Sequence, residues 1–291
     1  MQKAIGFVGL GIMGFPMAGH LVNAGYKVSV FNRTIKKSKD WQEKYNGTLC
    51  KSLSKLAKNS DVIILCVGND NDVKDIINGK DGLIDHLKPG TILIDHTTTS
   101  AELPKELNHL LELKKVKFLD APISGGQVGA ESGKLSVMIG GNKESFQEVQ
   151  EIINSYSKFT KYMGKSGSGQ LTKMVNQICI AGLIQALAEG MNFSEQVGLN
   201  TKDVIEVISK GAAQSWQMEN RYRTMTDDKF DYGFAVDWMR KDLAIVIEEA
   251  KKNGSPVPIT ELIDGYYAKV QEMGGNRWDS SSLIALLKKK K

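Results

Sequence analysis

Over the first 163 residues of this chain, short apolar runs alternate with stretches of helical periodicity. The runs are AIGFV (4–8), KVSVF (27–31), VIILCV (62–67), TILID (91–95), KFLDA (117–121), LSVMI (135–139) and FTKYM (159–163). They are rich in Val, Ile and Phe, the residues that suit a pleated, buried surface. Strand–helix alternation of this kind predicts a mostly parallel sheet covered by helices on both faces. After Met163 the texture changes. GKSGSGQ (164–170) reads as a joint, and strand-like runs cease beyond it. Met174, Ile178, Ala181, Ile184, Leu187 and Met191 then step by three or four residues, one apolar face of a helix from Leu171 to about Val197. Segments 201–210, 235–253 and 258–273 also read as helices. The expected architecture is an α/β domain over residues 1–164 and an all-helical domain over 165–291, beginning with a long interdomain helix.

Composition narrows the function classes. The 291 residues are 41% hydrophobic and 24% charged, enough to bury a real core. The net charge of +5 is modest, the lysines are dispersed, and no basic stripe interleaved with aromatics occurs. Nucleic acid is therefore not an expected partner. The terminal KKKK (288–291) reads as a solvated tail. No uninterrupted apolar run reaches about eighteen residues, so no membrane span is expected. Cys50, Cys66 and Cys179 fall at no metal or redox spacing, and their odd, scattered count suits a reducing compartment. A first strand starting near Ala4 leaves no room for a signal peptide, so a cytoplasmic location is expected. The four histidines show no ligand spacing, and no metal is expected.

The loop between the first strand and the first helix reads FVGLGIMGFPM (7–17). Among 29 glycines the spacing G-x-G-x-x-G carries little weight alone; its place directly after a strand and before a helix gives it weight. One glycine makes the turn, one lets the backbone approach a pyrophosphate, and one lets helix and strand pack closely, with free N–H groups of the helix N-terminus facing the phosphates. The expectation is a Rossmann-type dinucleotide loop, with Gly9, Leu10, Gly11, Ile12, Met13 and Gly14 as the cofactor-binding residues, the alternative being a glycine-rich turn that holds no ligand. An NAD-binding chain usually ends its second strand on Asp or Glu. KVSVFNRT instead offers Asn32, Arg33 and Thr34, followed by Lys36 and Lys37. A carboxylate would repel a 2′-phosphate, whereas Asn and Thr hydrogen-bond it and an arginine fork pairs with it. NADP(H) is thus expected in preference to NAD(H), unless Arg33 is merely a surface residue.

Two further clusters carry chemistry. In DAPISGGQVGAESGKL, Ser124, Gly125 and Gly126 follow a strand end, where open parallel sheets bind ligands. A hydroxyl and consecutive N–H groups suit a carboxylate, although a plain turn fits equally well. In GKSGSGQLTKMVNQ, Lys173, Asn176 and Gln177 share one helical face at the start of the long helix. A lysine there is either a surface cation or a proton donor and acceptor, its pKa lowered by partial burial and neighbouring positive charge.

Together and in this order, the three clusters resemble the β-hydroxyacid dehydrogenases, and the resemblance spans essentially the whole chain. FVGLGIMGFPMAGHL is similar to the family's cofactor signature, DAPISGG to its substrate signature and GSGQLTKMVNQ to its catalytic motif. The family includes 3-hydroxyisobutyrate dehydrogenase, tartronate semialdehyde reductase and the glyoxylate/succinic semialdehyde reductases. It is related to 6-phosphogluconate dehydrogenase, whose two-domain fold the resemblance implies. The resemblance implies Lys173 as catalytic acid/base, and Ser124, Gly125 and Gly126 as holders of the substrate carboxylate. Asn176 and Gln177 would sit beside the substrate, with Gln177 at a place where members often carry Asn. DHTTTS (95–100) is similar to the stretch that sets Thr98 beside the nicotinamide, and Asn71 matches a cofactor-contacting asparagine. In FAVDWMRKDL, Lys241 and Asp242 match a Lys-Asp pair near nicotinamide and substrate. Trp216 lies where some members place a pocket side chain, a place that a core tryptophan fits as well.

The reaction so implied is hydride transfer between NADPH and a small aldehyde or keto acid, with Lys173 moving the proton. The partners implied are a small carboxylate-bearing substrate and a second copy of the chain, as a homodimer or homotetramer. The alternatives are an NAD-dependent 3-hydroxyisobutyrate or serine dehydrogenase and, in another class, a non-catalytic module that kept the dehydrogenase fold. Retention of Lys173 argues against the latter.

Overall fold

The structure is a computed structural model that describes residues 3–288. The chain divides into two units, Met1–Lys173 and Met174–Lys291. The first runs β1 (Ile5–Val8), α1 (Gly14–Asn23), β2 (Val28–Phe31), α2 (Ile35–Tyr45), β3 (Thr48–Leu49), α3 (Leu53–Lys58), β4 (Val62–Leu65), α4 (Asp70–Asn78), β5 (Ile92–Asp95) and α5 (Glu102–Glu112). It continues through β6 (Lys117–Asp120), β7 (Ile123–Ser124), α6 (Gly126–Glu131), β8 (Leu135–Gly141), α7 (Lys143–Asn154) and β9 (Ser157–Gly164) into α8 (Ser168–Gln196).

The strands form one sheet in the order β3-β2-β1-β4-β5-β6-β8-β7, with β9 joined to β8. From β3 to β6 every pairing is parallel; β8 runs antiparallel to β6 and β7 and parallel to β9. The apolar runs read as unbroken rather than alternating because the central strands are buried on both faces. Ile5, Phe7, Val62, Ile64, Ile92 and Ile94 belong to one core. Val8, Ile63, Leu65, Leu93 and Phe118, pointing the other way, belong to a second. The order reverses at β1, which pairs with β2 on one side and β4 on the other. Loops diverge at such a switch point and leave a crevice beyond the strand ends. β3 and β7 escape the sequence reading because two-residue strands carry no periodicity.

The second unit holds most of α8, then α9 (Thr201–Ile208), α10 (Trp216–Thr226), α11 (Val236–Asn253), α12 (Pro258–Glu272) and a closing 3₁₀-helix, Ser280–Leu286. Its core gathers Ala181, Ile184, Leu187 and Met191 of α8 with Leu243, Ile263, Tyr267 and Leu283. By length and mean hydropathy alone, 1.3 over its most apolar window, α8 also reaches what a membrane-crossing helix needs. That average escapes a search for uninterrupted apolar runs. Helix α10 escapes the sequence reading because its residues, WQMENRYRTMT, are mostly polar and only Met218 and Met225 are buried.

Lys288 is not part of a solvated tail. Its ammonium donates to the carbonyls of Met225 and Thr226 and pairs with Asp228 at 2.6 Å, a cation closing the C-terminus of α10. The other three terminal lysines lie outside the described residues.

One buried carboxylate organises the end of this unit. Asp279 accepts from the backbone N–H of Phe234 and Ser281 and from the Ser281 hydroxyl. It also pairs with Arg221 at 3.4 Å. Asp279→Ala strands a half-buried guanidinium and two N–H groups. We expect a loss of about 3 kcal/mol, read from the urea midpoint, against a change under about 1 kcal/mol for a surface control such as Asp231→Ala.

Candidate active site

The glycine loop leaves β1 with Gly9 at φ 98, a left-handed conformation. A Cβ on Gly9 would strike the Cys66 carbonyl, and one on Gly14 the Gly9 carbonyl and the Phe7 ring. These two glycines serve the packing of loop, helix and strand. Gly11 is different: a Cβ there would meet nothing within 4 Å. The protein has no packing reason for a glycine at 11, whereas a pyrophosphate backed against the loop supplies one. At the start of α1, Met13 provides no capping side chain and the first turn carries no acid. The Phe15 N–H donates to the Gly11 carbonyl at 3.0 Å and Pro16 has none, which leaves the Gly14 N–H and the positive end of the helix dipole to an anion. The residues present therefore fit a dinucleotide.

Asn32 has a different task from the one its sequence position suggests. Its Oδ1 accepts from Leu10 N at 2.9 Å, and its Nδ2 donates to the Thr34 carbonyl at 3.1 Å. The side chain ties the end of β2 to the glycine loop. Arg33 projects into solvent, 91% exposed, with Asp72 3.5 Å away. An ion pair so exposed contributes little and leaves the guanidinium able to exchange partners. Thr34 is the N-cap of α2, yet its hydroxyl caps nothing, and no acid stands in the first turn. Asn71 is exposed at the start of α4. There Asn69 caps the helix and Asp70 accepts from the Ser100 N–H and hydroxyl. This holds the β4–α4 loop against the loop after β5.

The loop after β5 carries Thr98, half-buried between buried Thr97 and Thr99. Thr97 N donates to Asp95 at 2.9 Å, and Thr97 Oγ1 accepts from Val67 N at 3.1 Å. Next to it, His96 joins the DAPISGG segment. Its Nδ1 bonds the Ala121 carbonyl at 2.5 Å, and its Nε2 stands 2.9 Å from the Tyr156 hydroxyl. A carbonyl only accepts, so Nδ1 donates, and with the ring neutral Nε2 accepts from the Tyr156 hydroxyl. Burial accordingly lowers its pKa to about 4. Burial and the neighbouring Asp120 and Asp70 push Asp95 the other way, up to about 7, against the bonds from Thr97. Cys66 is pushed up to about 12 by burial and by Asp95, which removes it as a nucleophile.

Ser124 closes β7, followed by Gly125 at φ 135 and Gly126 at φ 62, both exposed. Upstream, Asp120 is fully buried and accepts from the N–H groups of Gly167 at 2.8 Å and Gln170 at 3.1 Å. A carboxylate from the DAPISGG segment thus holds the start of α8. Lys173 follows one turn later and is 7% exposed, so it is not a surface cation.

In the second unit, Gln177 is buried and donates to Asp242 at 2.7 Å while accepting from Asn176 at 2.7 Å. Lys241 stands 3.0 Å from the other Asp242 oxygen. The sequence-derived residues Asn176, Gln177, Lys241 and Asp242 thus form one polar chain. Trp216 opens α10, 44% exposed, with the Arg221 guanidinium 4.8 Å from its ring centre. That exposure rules out the core reading. Asp95, His96, Asp120 and Gln170 lie in the DHTTTS, DAPISGG and GSGQLTKMVNQ segments, yet their residue types alone assign them no task. Asp95 bonds within its own loop, whereas the partners of His96, Asp120 and Gln170 are distant in sequence.

Two family models cover the chain. Residues 4–164 match the NAD binding domain of 6-phosphogluconate dehydrogenase, and residues 167–287 match the NAD-binding domain of NADP-dependent 3-hydroxyisobutyrate dehydrogenase. An uncharacterized oxidoreductase of Shewanella frigidimarina is 52% identical over 98% of both chains. The mitochondrial 3-hydroxyisobutyrate dehydrogenase of Drosophila melanogaster is 32% identical over 99% of this chain and 90% of its own. Among solved structures, Mycobacterium tuberculosis 3-hydroxyisobutyrate dehydrogenase with L-serine superimposes with a TM-score of 0.88 at 25% identity, over 99% of this chain and 100% of that one.

The two shifted groups at the end of β5 have opposite effects on stability. The folded pKa of His96, about 4, lies below its ordinary 6.5, so its neutral form stabilises the fold above pH 6.5 and that contribution is lost as pH falls towards 4. The folded pKa of Asp95, about 7, lies above its ordinary 3.8, so its contribution is full below 3.8 and is lost as pH rises through 7. Asp95→Asn removes only the second effect. The stability difference, variant minus wild type, should therefore grow between about pH 4 and 7 by on the order of 4 kcal/mol, read from urea midpoints. A difference independent of pH would contradict it.

Proposed function

The chain belongs to the β-hydroxyacid dehydrogenases, NAD(P)-dependent oxidoreductases, and from that premise we propose that it interconverts a small β-hydroxyacid and its semialdehyde or keto acid, with NADP(H) preferred and Lys173 as general acid and base. The observation that carries this reading is the burial of Lys173, 7% exposed, one turn into a helix anchored by the segment that also carries Ser124. Removing an ammonium from water is costly unless a function or a partner requires it.

Gly9 to Gly14 would hold the pyrophosphate and Thr98 would face the nicotinamide. A nicotinamide, when bound, supplies or accepts the hydride. The chain's own residues do the rest. The Ser124 hydroxyl and the N–H groups of Gly125 and Gly126 receive the substrate carboxylate. Protonated Lys173 donates its proton to the carbonyl oxygen as it becomes an alkoxide; in the oxidative direction the neutral amine takes that proton back. A cation held in a site of low polarity also stabilises the developing oxyanion, a large part of the rate effect in such sites. Asn176, Gln177 and Asp242 hold one another in fixed rotamers on and beside the helix face that continues from Lys173.

NADP(H) preference is supported by the end of β2. Arg33 is exposed, the Thr34 hydroxyl caps nothing, and the first turn of α2 carries Lys36 and Lys37 and no acid. A 2′-phosphate at that helix start would gain both charge and hydrogen bonds. Serine is a second substrate reading, favoured by the complex of the M. tuberculosis relative with L-serine.

Lys173→Ala should lower kcat by about 10²–10⁴-fold while circular dichroism and coenzyme affinity remain those of the wild type. Near-normal turnover in that variant would end the assignment. Arg33→Ala should weaken NADPH about tenfold and NADH by less than about twofold in fluorescence titrations. Equal losses would remove the 2′-phosphate role.

A further inference from the structure

Gln170 is an amide with no exposed surface, one turn before Lys173 on α8. Its Nε2 donates to the Thr97 carbonyl at 2.7 Å, and its Oε1 accepts from Thr99 N at 3.1 Å. The side chain thus grips the two peptide groups on either side of Thr98, as a neighbouring strand would. Its own backbone N–H donates to Asp120 at 3.1 Å. The grip needs one donor and one acceptor at the same reach, and among neutral side chains of that length only glutamine has both. A methionine of similar length would leave a buried carbonyl and a buried N–H unpaired. Thr98 has no regular secondary structure to hold it: the chain between β5 and α5 is loop, and the amide stands in for the missing ladder.

We propose that Gln170 is a positioning residue that sets the nicotinamide-facing loop at Thr98 against the helix bearing Lys173, so that the hydride and proton sites keep a fixed separation. The inference rests on the roles of Thr98 and Lys173 in the proposed function. Gln170 itself reaches neither substrate nor coenzyme; it acts through the backbone on both sides of Thr98. Misplacement by about an ångström is enough to slow such a reaction on the order of a hundredfold.

The test uses the full chain with Gln170→Met and Gln170→Glu, and Lys173→Ala in parallel. The first readout needs no turnover. Calorimetry measures the affinity for the oxidised coenzyme relative to its ADP-ribose fragment with the same 2′ substituent. Gln170→Met should lower that ratio about tenfold, because only the intact coenzyme meets the Thr98 loop. Its kcat should fall on the order of ten- to a hundredfold with KM for the acid within about threefold, and the isotope effect from deuterium at nicotinamide C4 should rise. Gln170→Glu supplies a signature that a purely structural role lacks. When neutral, its carboxyl donates to the Thr97 carbonyl and accepts from Thr99 N, as the amide does; when ionised it only accepts. Buried acids ionise late, so this variant should approach wild-type kcat and affinity ratio near about pH 6 and lose both towards about pH 8.

A wild-type ratio and kcat in Gln170→Met, with only a lowered melting temperature, would overturn the proposal. So would a Gln170→Glu variant whose ratio does not recover as pH falls, which decides the matter if the methionine variant fails to fold. Full turnover by Lys173→Ala would instead overturn the proposed function, and the affinity ratio at Gln170 would still stand or fall separately.

Discussion

The buried carboxylate of Asp120 holds the first unit together at the place where chemistry is expected. It lies at the end of β6, accepts N–H groups from Gly167 and Gln170, and so gives the start of α8 the partners that a helix N-terminus lacks. Burial pushes its pKa up while those bonds and the Gly169 N–H pull it down. A helix dipole and a carboxylate are each poorly accommodated in a protein interior; facing one another they become mutually compatible. Gly140 and Gly169 make the arrangement possible, because a Cβ on either would collide with the Asp120 side chain. The register of β6 against β8, with Asp120 opposite Gly140, therefore fixes where α8 begins and hence where Lys173 stands.

The same economy recurs through the site. Side chains from one segment satisfy the backbone of another: Asn32 for Leu10, Asp70 for Ser100, His96 for Ala121 and Gln170 for Thr97 and Thr99. The loops beyond the strand ends have no ladder of their own, and a loop that must present a group to a ligand cannot be left to solvent. Buried amides, a neutral imidazole and carboxylates act here as surrogate strands. Such networks are rigid only when complete, which makes them sensitive to single substitutions that barely alter volume.

Much of this was legible in the sequence. The unbroken VIIL and AIGFV runs announced strands buried on both faces, and the 3.6-residue stepping from Met174 to Met191 announced α8. Gly9, Gly11 and Gly14 announced the tight turn between β1 and α1 because a strand and a helix flank them. What was not legible were pairings between residues far apart in the chain. The sequence suggested that Asn32 meets a phosphate; the structure gives both of its polar atoms to the backbone. Gln170 sits three residues before Lys173 in the same motif, and its partners lie more than seventy residues away. Helix α10 was hidden by polar composition, and Lys288 by its place in a run of lysines.

Asn32 has a consequence for how coenzyme choice can drift in such a chain. Its Oδ1 accepts from Leu10 N, a duty that an aspartate oxygen performs equally well. Replacing the amide by a carboxylate would keep the glycine loop tethered while adding at the end of β2 the charge that repels a 2′-phosphate and binds ribose hydroxyls. Asparagine and aspartate codons differ by a single base. The tether to Leu10 thus survives a one-base change that gives up only the Nδ2 bond to the Thr34 carbonyl, so the charge at the end of β2 is free to vary while the loop stays in place.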